Sequence, residues 1–242
     1  MKMKVSFTEA ANLLRQARNV VITGHVNPDG DSLGSMLALG QGLRLIDKQV
    51  TWLLDDELPA LYNFLPGITL IAKPTTKPAN IDLLVVLDAS DEERVGKVPT
   101  LVDAPILNID HHVSNTRFAD YYLVDAAAAA TGELVLRLLE QMKINLNPEI
   151  AVCLYTAIAT DCGFFRYANT TAATFRLAAQ LLDCGVRPHI VAENLDTRPL
   201  ANLTALIEVL QTLEFYNKGT IGVITIPATL SETVDTEGFI NY

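Results

Sequence analysis

"VVITGHVNPDGDSLGSMLALG", Val20 to Gly40, decides how this chain is read. It opens as an apolar, β-branched run of strand length and passes through a turn set by Pro28 and Gly30. It continues as a helix rich in small residues. A strand feeding a helix through a short polar loop is the repeating unit of a parallel sheet. This loop also crowds His25, Asp29 and Asp31 into seven positions.

The rest of the chain extends the pattern. Ser6 and Glu9 have capping-box spacing and predict a helix through about Arg18. "QVTWLLD" reads as a second strand and "PALYNFLPG" as a short helix and turn. "IDLLVVLDAS" (81–90) reads as a third strand, "APILNIDHH" (104–112) as a fourth, and "YYLVD" as an edge strand. From Ala126 onward the segments "AAAAATGELVLRLLEQM", "PEIAVCLYTAIATD", "TTAATFRLAAQLLDCG" and "RPHIVAENL" are helical. A further helix near 199–212 leads into "LEFYNKGTIGVITIP", a hairpin turning at Asn217–Gly219. Strands apolar throughout and alternating with helices predict an α/β fold: a mostly parallel sheet with helices on both faces. The Pro- and Arg-containing segment near 187–199 suggests domains at 1–190 and 191–242, the second consisting of connecting helices and a short hairpin.

Composition narrows the function classes. Half of the 242 residues are apolar, the formal net charge is −10, and there is no basic run. A broad electrostatic footprint for duplex DNA or an anionic membrane is therefore not expected. A phosphate ligand would need local positive charge from metal ions or a few arginines. Cys153, Cys162 and Cys184 form no CxxC and sit in apolar helical contexts, as reduced core residues do. The N-terminus is polar and amphipathic, unlike a secretory signal, and no apolar run reaches membrane-spanning length. These features predict a cytoplasmic setting.

Three strands run into metal-ligand side chains. VVITG leads to His25, Asp29 and Asp31, LLVVL to Asp88, and PILNI to Asp110, His111 and His112. Parallel strands bring such ends together, and the crevice beyond their carboxyl ends is where open α/β sheets bind ligands. The helical segment "YTAIATD" would add Asp161. Each element has a plain structural reading: Asp31 before Ser32 as a helix cap, Asp88 as a turn residue, "DHH" as a polar loop, Asp161 as a cap of the next turn. Jointly they are harder to dismiss, since three of the four histidines fall in these loops and five carboxylates would meet there. Such crowding of like charge is tolerable only with cations. Oxygen and imidazole donors without thiolate suit Mn²⁺, or less specifically Mg²⁺, Co²⁺ or Fe²⁺. Bridging aspartates would hold two ions about 3.5–4 Å apart, an arrangement suited to hydroxide attack on phosphorus.

The motifs "GHVNPDGDSLGS", "LDAS", "IDHHVSN" and "TAIATDCGFFRYANT", in that order between about Arg18 and Asn169, resemble the DHH phosphoesterase family. Within it they resemble the NrnA-like branch of small bacterial oligoribonucleases and 3′-phosphoadenosine-5′-phosphate (pAp) phosphatases. The resemblance implies that His25, Asp29 and Asp88 hold one Mn²⁺, and that Asp31, Asp88, His111 and Asp161 hold the other. It implies catalytic roles for His112, as donor or general acid at the scissile phosphate, and for Asp110, which would orient the histidines. Arg166 and Asn169 would contact phosphate or ribose, Asn27 and Ser114 would support loops, and His189 would lie on the surface. The implied substrates are very short single-stranded RNA, pAp and dinucleotides.

Inorganic pyrophosphatase and a non-catalytic nucleotide-binding module are the alternatives, and the chain could pair as a homodimer. A dinucleotide-dependent dehydrogenase is disfavoured, because the first turn lacks the spaced glycines. The branch also carries a second, DHHA1-type domain with a glycine-rich "GGGH"-type segment. No such run occurs here, and "GTIGVITIP" resembles only that domain's first strand. The expectation is an incomplete second domain with exposed apolar residues prone to self-association.

Overall fold

The structure, a computed structural model, describes residues 2–197 and 200–231. The chain divides into two compact units, residues 1–195 and 196–242.

The first unit is built on a seven-stranded parallel sheet. In chain order the strands are β1 (Met3–Lys4), β2 (Asn19–Thr23), β3 (Gln49–Leu53), β4 (Ile71–Ala72), β5 (Leu83–Leu87), β6 (Ile106–Asp110) and β7 (Tyr121–Val124). Across the sheet the order is β1-β7-β6-β5-β2-β3-β4, with every pair parallel. From β2 the chain moves outward to β3 and β4, then returns to β5 and moves the other way through β6 and β7. The reversal lies between β2 and β5, the kind of switch point where such sheets leave a crevice. The sequence suggests an edge position for "YYLVD". "YYLV" is not an edge strand, because Met3–Lys4 pairs outside it. A two-residue strand carries no apolar run by which sequence could reveal it.

Because crossovers are right-handed, reversing direction puts them on opposite faces of the sheet. One face carries α1 (Phe7–Gln16), α2 (Gly30–Arg44), α4 (Thr131–Gln141), α5 (Pro148–Asp161) and α6 (Ala172–Asp183), with Val20, Ile22, Val85, Leu87, Leu107 and Ile109 beneath them. The other face is thinner. There Val21, Leu84 and Val86 meet Val95, Val102 and the short helix α3 (Val98–Leu101). The period-two split along each strand is the pleat alternation.

Helix α1 begins as its capping box requires: Ser6 N–H donates to the Glu9 carboxylate at 2.8 Å and Glu9 N–H to Ser6 Oγ at 3.3 Å. Helix α2 is buried along almost its whole length, which its small residues permit. A Cβ on Gly34 would lie 2.4 Å from the Cys153 carbonyl oxygen of α5, and one on Gly132 of α4 would lie 2.7 Å from the Ala157 side chain. Backbones of α2, α4 and α5 therefore approach closely, which brings Asp31, at the start of α2, near Asp161, at the end of α5.

The second unit holds short helices and a hairpin. Helix α7 (Pro188–Asp196) ends at the division, followed by α8 (Leu200–Gln211), an antiparallel hairpin of β8 (Glu214–Tyr216) and β9 (Ile221–Val223), and α9 (Ala228–Ser231). The hairpin turns through Asn217–Gly219, as the sequence suggested. Its small core holds Ala205 and Val209, and Leu200, Ile207, Phe215 and Ile221 are exposed. No helix among the described residues is long and apolar enough to cross a membrane.

Candidate metal centre

The three loops leave adjacent strands β2, β5 and β6, so their side chains converge at the switch point. His25 is buried after β2, and its Nδ1 lies 2.8 Å from the Val26 carbonyl. A carbonyl only accepts, so Nδ1 carries the proton and donates it. Nε2 then points inward, 3.6 Å from Asp29 Oδ1 and 3.5 Å from Asp88 Oδ2. His111 repeats the arrangement after β6. Its Nδ1 lies 3.3 Å from the Ala128 carbonyl, and its Nε2 lies 3.8, 3.6 and 3.5 Å from Asp31, Asp88 and Asp161 carboxylate oxygens. This buried Nε2 has no hydrogen-bond partner. His25–Asp29–Asp88 and Asp31–His111–Asp161 are each compact enough for one cation, and Asp88 offers one oxygen to each imidazole.

The donors fit divalent metal ions. The separations of 3.5–3.8 Å exceed a hydrogen bond and lie just above the spacing of neighbouring ligands around a common ion, about 3.0–3.5 Å for bonds of about 2.1 Å. A buried lone pair facing three carboxylates needs a cation between them. The titration behaviour says the same. Burial works against a charged His25, but Asp29 and Asp88 outweigh it and raise the imidazole pKa to about 10. Burial and then the charges of Asp88 and Asp161 push Asp31 well above the usual carboxylate range. Burial raises Asp161 to about 6, even though the neighbouring His111 pulls it down. Without metal, protons must do the neutralising.

Supporting contacts fix these groups. Asp31 is fully buried. Its oxygens accept N–H bonds from Thr131 (2.6 Å) and Gly132 (2.9 Å) and the Ser35 hydroxyl (3.0 Å). Helix α4 has no side-chain cap of its own, so Asp31 caps it from another element, where the dipole favours negative charge. The capping of α2 falls instead to Asp29, which accepts from Ser32 N–H at 2.9 Å. Thr131 Oγ1 donates to Asp88 Oδ1 at 3.0 Å. Asp88 has φ of +58°, costly for a residue with a Cβ and found where structure over-determines a site. Strand alternation would send it to the thin face, whereas its carboxylate meets Thr131 and both imidazoles.

His112 and Asp110 stand beside the trios. His112 Nδ1 donates to Asp110 Oδ1 at 2.7 Å, which leaves Nε2 for other partners. That bond and the Asp110 charge raise the His112 pKa against the opposing effect of burial. Burial would raise Asp110, but hydrogen bonds from His112 and Asn115 outweigh it and hold the carboxyl low. Arg166 is exposed after α5, with Nε bonded to the Gly163 carbonyl at 2.8 Å. Asn169 Nδ2 ties the Ala129 and Asp161 carbonyls together at 3.1 and 3.2 Å, so its amide braces the end of α5. His189 is exposed on α7, away from the trios.

Thr131, Asn108 and Asn115 also hold these groups, although their residue types are not those of metal ligands. "ATGE" after an alanine run did offer a helix N-terminus, and Asn108 interrupts an apolar strand.

Residues 19–158 match the DHH family, N-terminal domain. The chain belongs to the DHH family. It is 35% identical over 221 residues to the bifunctional oligoribonuclease and PAP phosphatase NrnA of Thermus thermophilus, covering 91% of this chain and 67% of that protein. It is 33% identical to the protein of the same name from Mycoplasma pneumoniae, covering 74% and 56% of the two chains. The chain thus spans between about half and two thirds of the length of these relatives. Its fold is also that of an exopolyphosphatase-related protein from Bacteroides fragilis, with TM-score 0.89 and 24% identity, over 97% of this chain and 74% of the other. This DHH chain is a phosphoesterase-family protein with side chains grouped to bind metal.

Proposed function

We propose that this DHH protein hydrolyses phosphoester bonds in short single-stranded oligoribonucleotides or small nucleotides such as pAp, as a cytoplasmic manganese enzyme. The reading assigns one Mn²⁺ to His25, Asp29 and Asp88 and a second to Asp31, Asp88, His111 and Asp161. The observation that carries it is the pair of imidazole Nε2 atoms, each locked inward by a backbone carbonyl and facing shared carboxylates without a donor. Oxygen and imidazole donors favour Mn²⁺ over thiophilic metals. When bound, the ions would supply positive charge against phosphoryl oxygens and a water of lowered pKa.

The chain's own residues do the rest. Asp110 accepts the His112 Nδ1–H and favours the imidazolium, whose Nε2–H can then meet the phosphoryl or leaving oxygen and pass it a proton, leaving the neutral ring. Asp29, half exposed, stands at the mouth of the site, while Asp31 is sealed at its floor. A net charge of −10 disfavours long polyanions, consistent with substrates of a few nucleotides. The relatives named as oligoribonuclease and PAP phosphatase support the same substrate class. Exposed Arg166 and Asn169 would contact substrate phosphate or ribose.

The test is hydrolysis, with and without Mn²⁺, of RNA dinucleotides to pentanucleotides, pAp and pyrophosphate. Manganese-dependent release of nucleoside monophosphate, or of phosphate from pAp, is expected. Turnover of pyrophosphate alone would replace the reading with a pyrophosphatase, and nucleotide binding without turnover would replace it with a binding module.

A further inference from the structure

Two asparagines on the thin side of the sheet join the separate parts of the centre. Asn108 is fully buried in β6, where the strand is otherwise apolar until Asp110. Its Nδ2 lies 3.3 Å from the Val86 carbonyl and 3.2 Å from the Ala89 carbonyl. Those carbonyls flank Asp88, whose left-handed backbone turns its carboxylate to both imidazoles. Asn108 Oδ1 accepts from Asn115 Nδ2 at 2.8 Å. The same Asn115 amide lies 2.6 Å from Asp110 Oδ2, and Asp110 in turn holds His112. One continuous chain of amides thus runs from the strained Asp88 turn to the proposed proton donor. An amide buried in an apolar strand costs free energy unless every bond is made. Here the bonds available all lead to the site.

We propose that Asn108 and Asn115 are positioning residues that set the spacing of the dinuclear centre and its alignment with His112. Asn108 clamps the Asp88 turn, and Asn115 locks Asp110 relative to that turn. The inference rests on the dinuclear reading above. Loss of a contact supporting a ligand typically costs about 10–100-fold in metal affinity or activity.

The experiment compares wild type, Asn108→Leu and Asn115→Ala in the full chain. Leucine keeps the branching of asparagine without its polar atoms, and Asn115 lies in a loop, so the second variant carries the test should the first fail to fold. Three quantities are read: Mn²⁺ equivalents and affinities by calorimetry, the electron paramagnetic resonance spectrum of the loaded protein, and kcat and KM on the best substrate. Expected for each folded variant is about a tenfold or greater fall in kcat with KM within about threefold. For Asn108→Leu, the second Mn²⁺ should also weaken about tenfold and the spin-coupled dimanganese signal should change. Variants that lose only melting temperature, with stoichiometry, spectrum and kcat as in wild type, would make the asparagines merely structural and overturn the proposal. A wild-type chain that fails to take two Mn²⁺ would overturn it together with the dinuclear reading, which separates the two failures.

Discussion

The two halves of the candidate centre are built differently. The inner half, Asp31–His111–Asp161, is held by the N-terminus of α4: Asp31 is fully buried and accepts three hydrogen bonds. The outer half, His25–Asp29–Asp88, opens to solvent at Asp29, whose carboxylate is half exposed and makes one capping bond. Asp88 belongs to both halves. The inner half is held in place by hydrogen bonds from α2 and α4, and the outer half meets solvent at Asp29. A rigid inner and a permeable outer position suit a centre that must keep its metals while exchanging its ligands.

Breaking the shared residue should erase the difference between halves. Asp88→Ala is expected to lower hydrolysis by at least about 10³-fold and to leave less than one tightly held Mn²⁺ per chain. Turnover and metal retained after gel filtration are the measurements, and near-normal manganese content would contradict the bridging role. Separating the halves comes next. Asp31→Ala leaves the buried N–H groups of Thr131 and Gly132 unpaired and should cost the metal-free protein about 2–4 kcal/mol in urea denaturation. Asp29→Ala removes a helix cap, about 1 kcal/mol, and one of the two carboxylates facing His25 from a half-exposed position, so a loss equal to that of Asp31→Ala would refute the asymmetry.

A smaller effect tests how α4 reaches the bridge. Thr131→Val keeps the shape but removes the hydroxyl that donates to Asp88. The expected result is about a tenfold fall in kcat with stability within about 1 kcal/mol of wild type. The last prediction concerns pH. Asp161 is raised to about 6, Asp31 is raised by burial, and His25 is raised to about 10. A group whose pKa is raised by folding contributes stability below its unfolded value and loses it as pH climbs through the folded value. For Asp161 and Asp31 that loss begins above the ordinary carboxylate range, and for His25 it continues toward pH of about 10. The metal-free chain should therefore melt at lower temperature at about pH 8 than at about pH 5, and saturating Mn²⁺ should flatten that dependence. A flat profile for the metal-free chain would mean that the carboxylates do not repel one another.

Sequence legibility follows the same inner–outer contrast. Ligand types and their place after apolar strands are local facts, and "GHVNPDGD", "LD" and "DHH" show them directly. The long strands, the capping box at Ser6 and the hairpin at Asn217–Gly219 are likewise local patterns, and the structure contains each. What was missed is non-local. Capping of α4 by Asp31 spans 100 residues of sequence, and nothing near Thr131 announces it. Asn169 adds a contact of the same non-local kind: its motif position suggested phosphate or ribose, and its Nδ2 also donates to the Ala129 and Asp161 carbonyls.

By itself the sequence determined the parallel α/β class, the three strand ends that present metal-ligand residue types, and the crowding of acidic groups there. These follow from periodicity and charge, which are properties of neighbours along the chain. Only the tertiary structure decided which oxygen faces which imidazole, that Asp88 serves both halves through a left-handed turn, and that small residues let α2, α4 and α5 close around Asp31. Those outcomes depend on backbones meeting at van der Waals distance across the sheet and helices, where a shift of about 1 Å separates a shared ligand from a stray carboxylate.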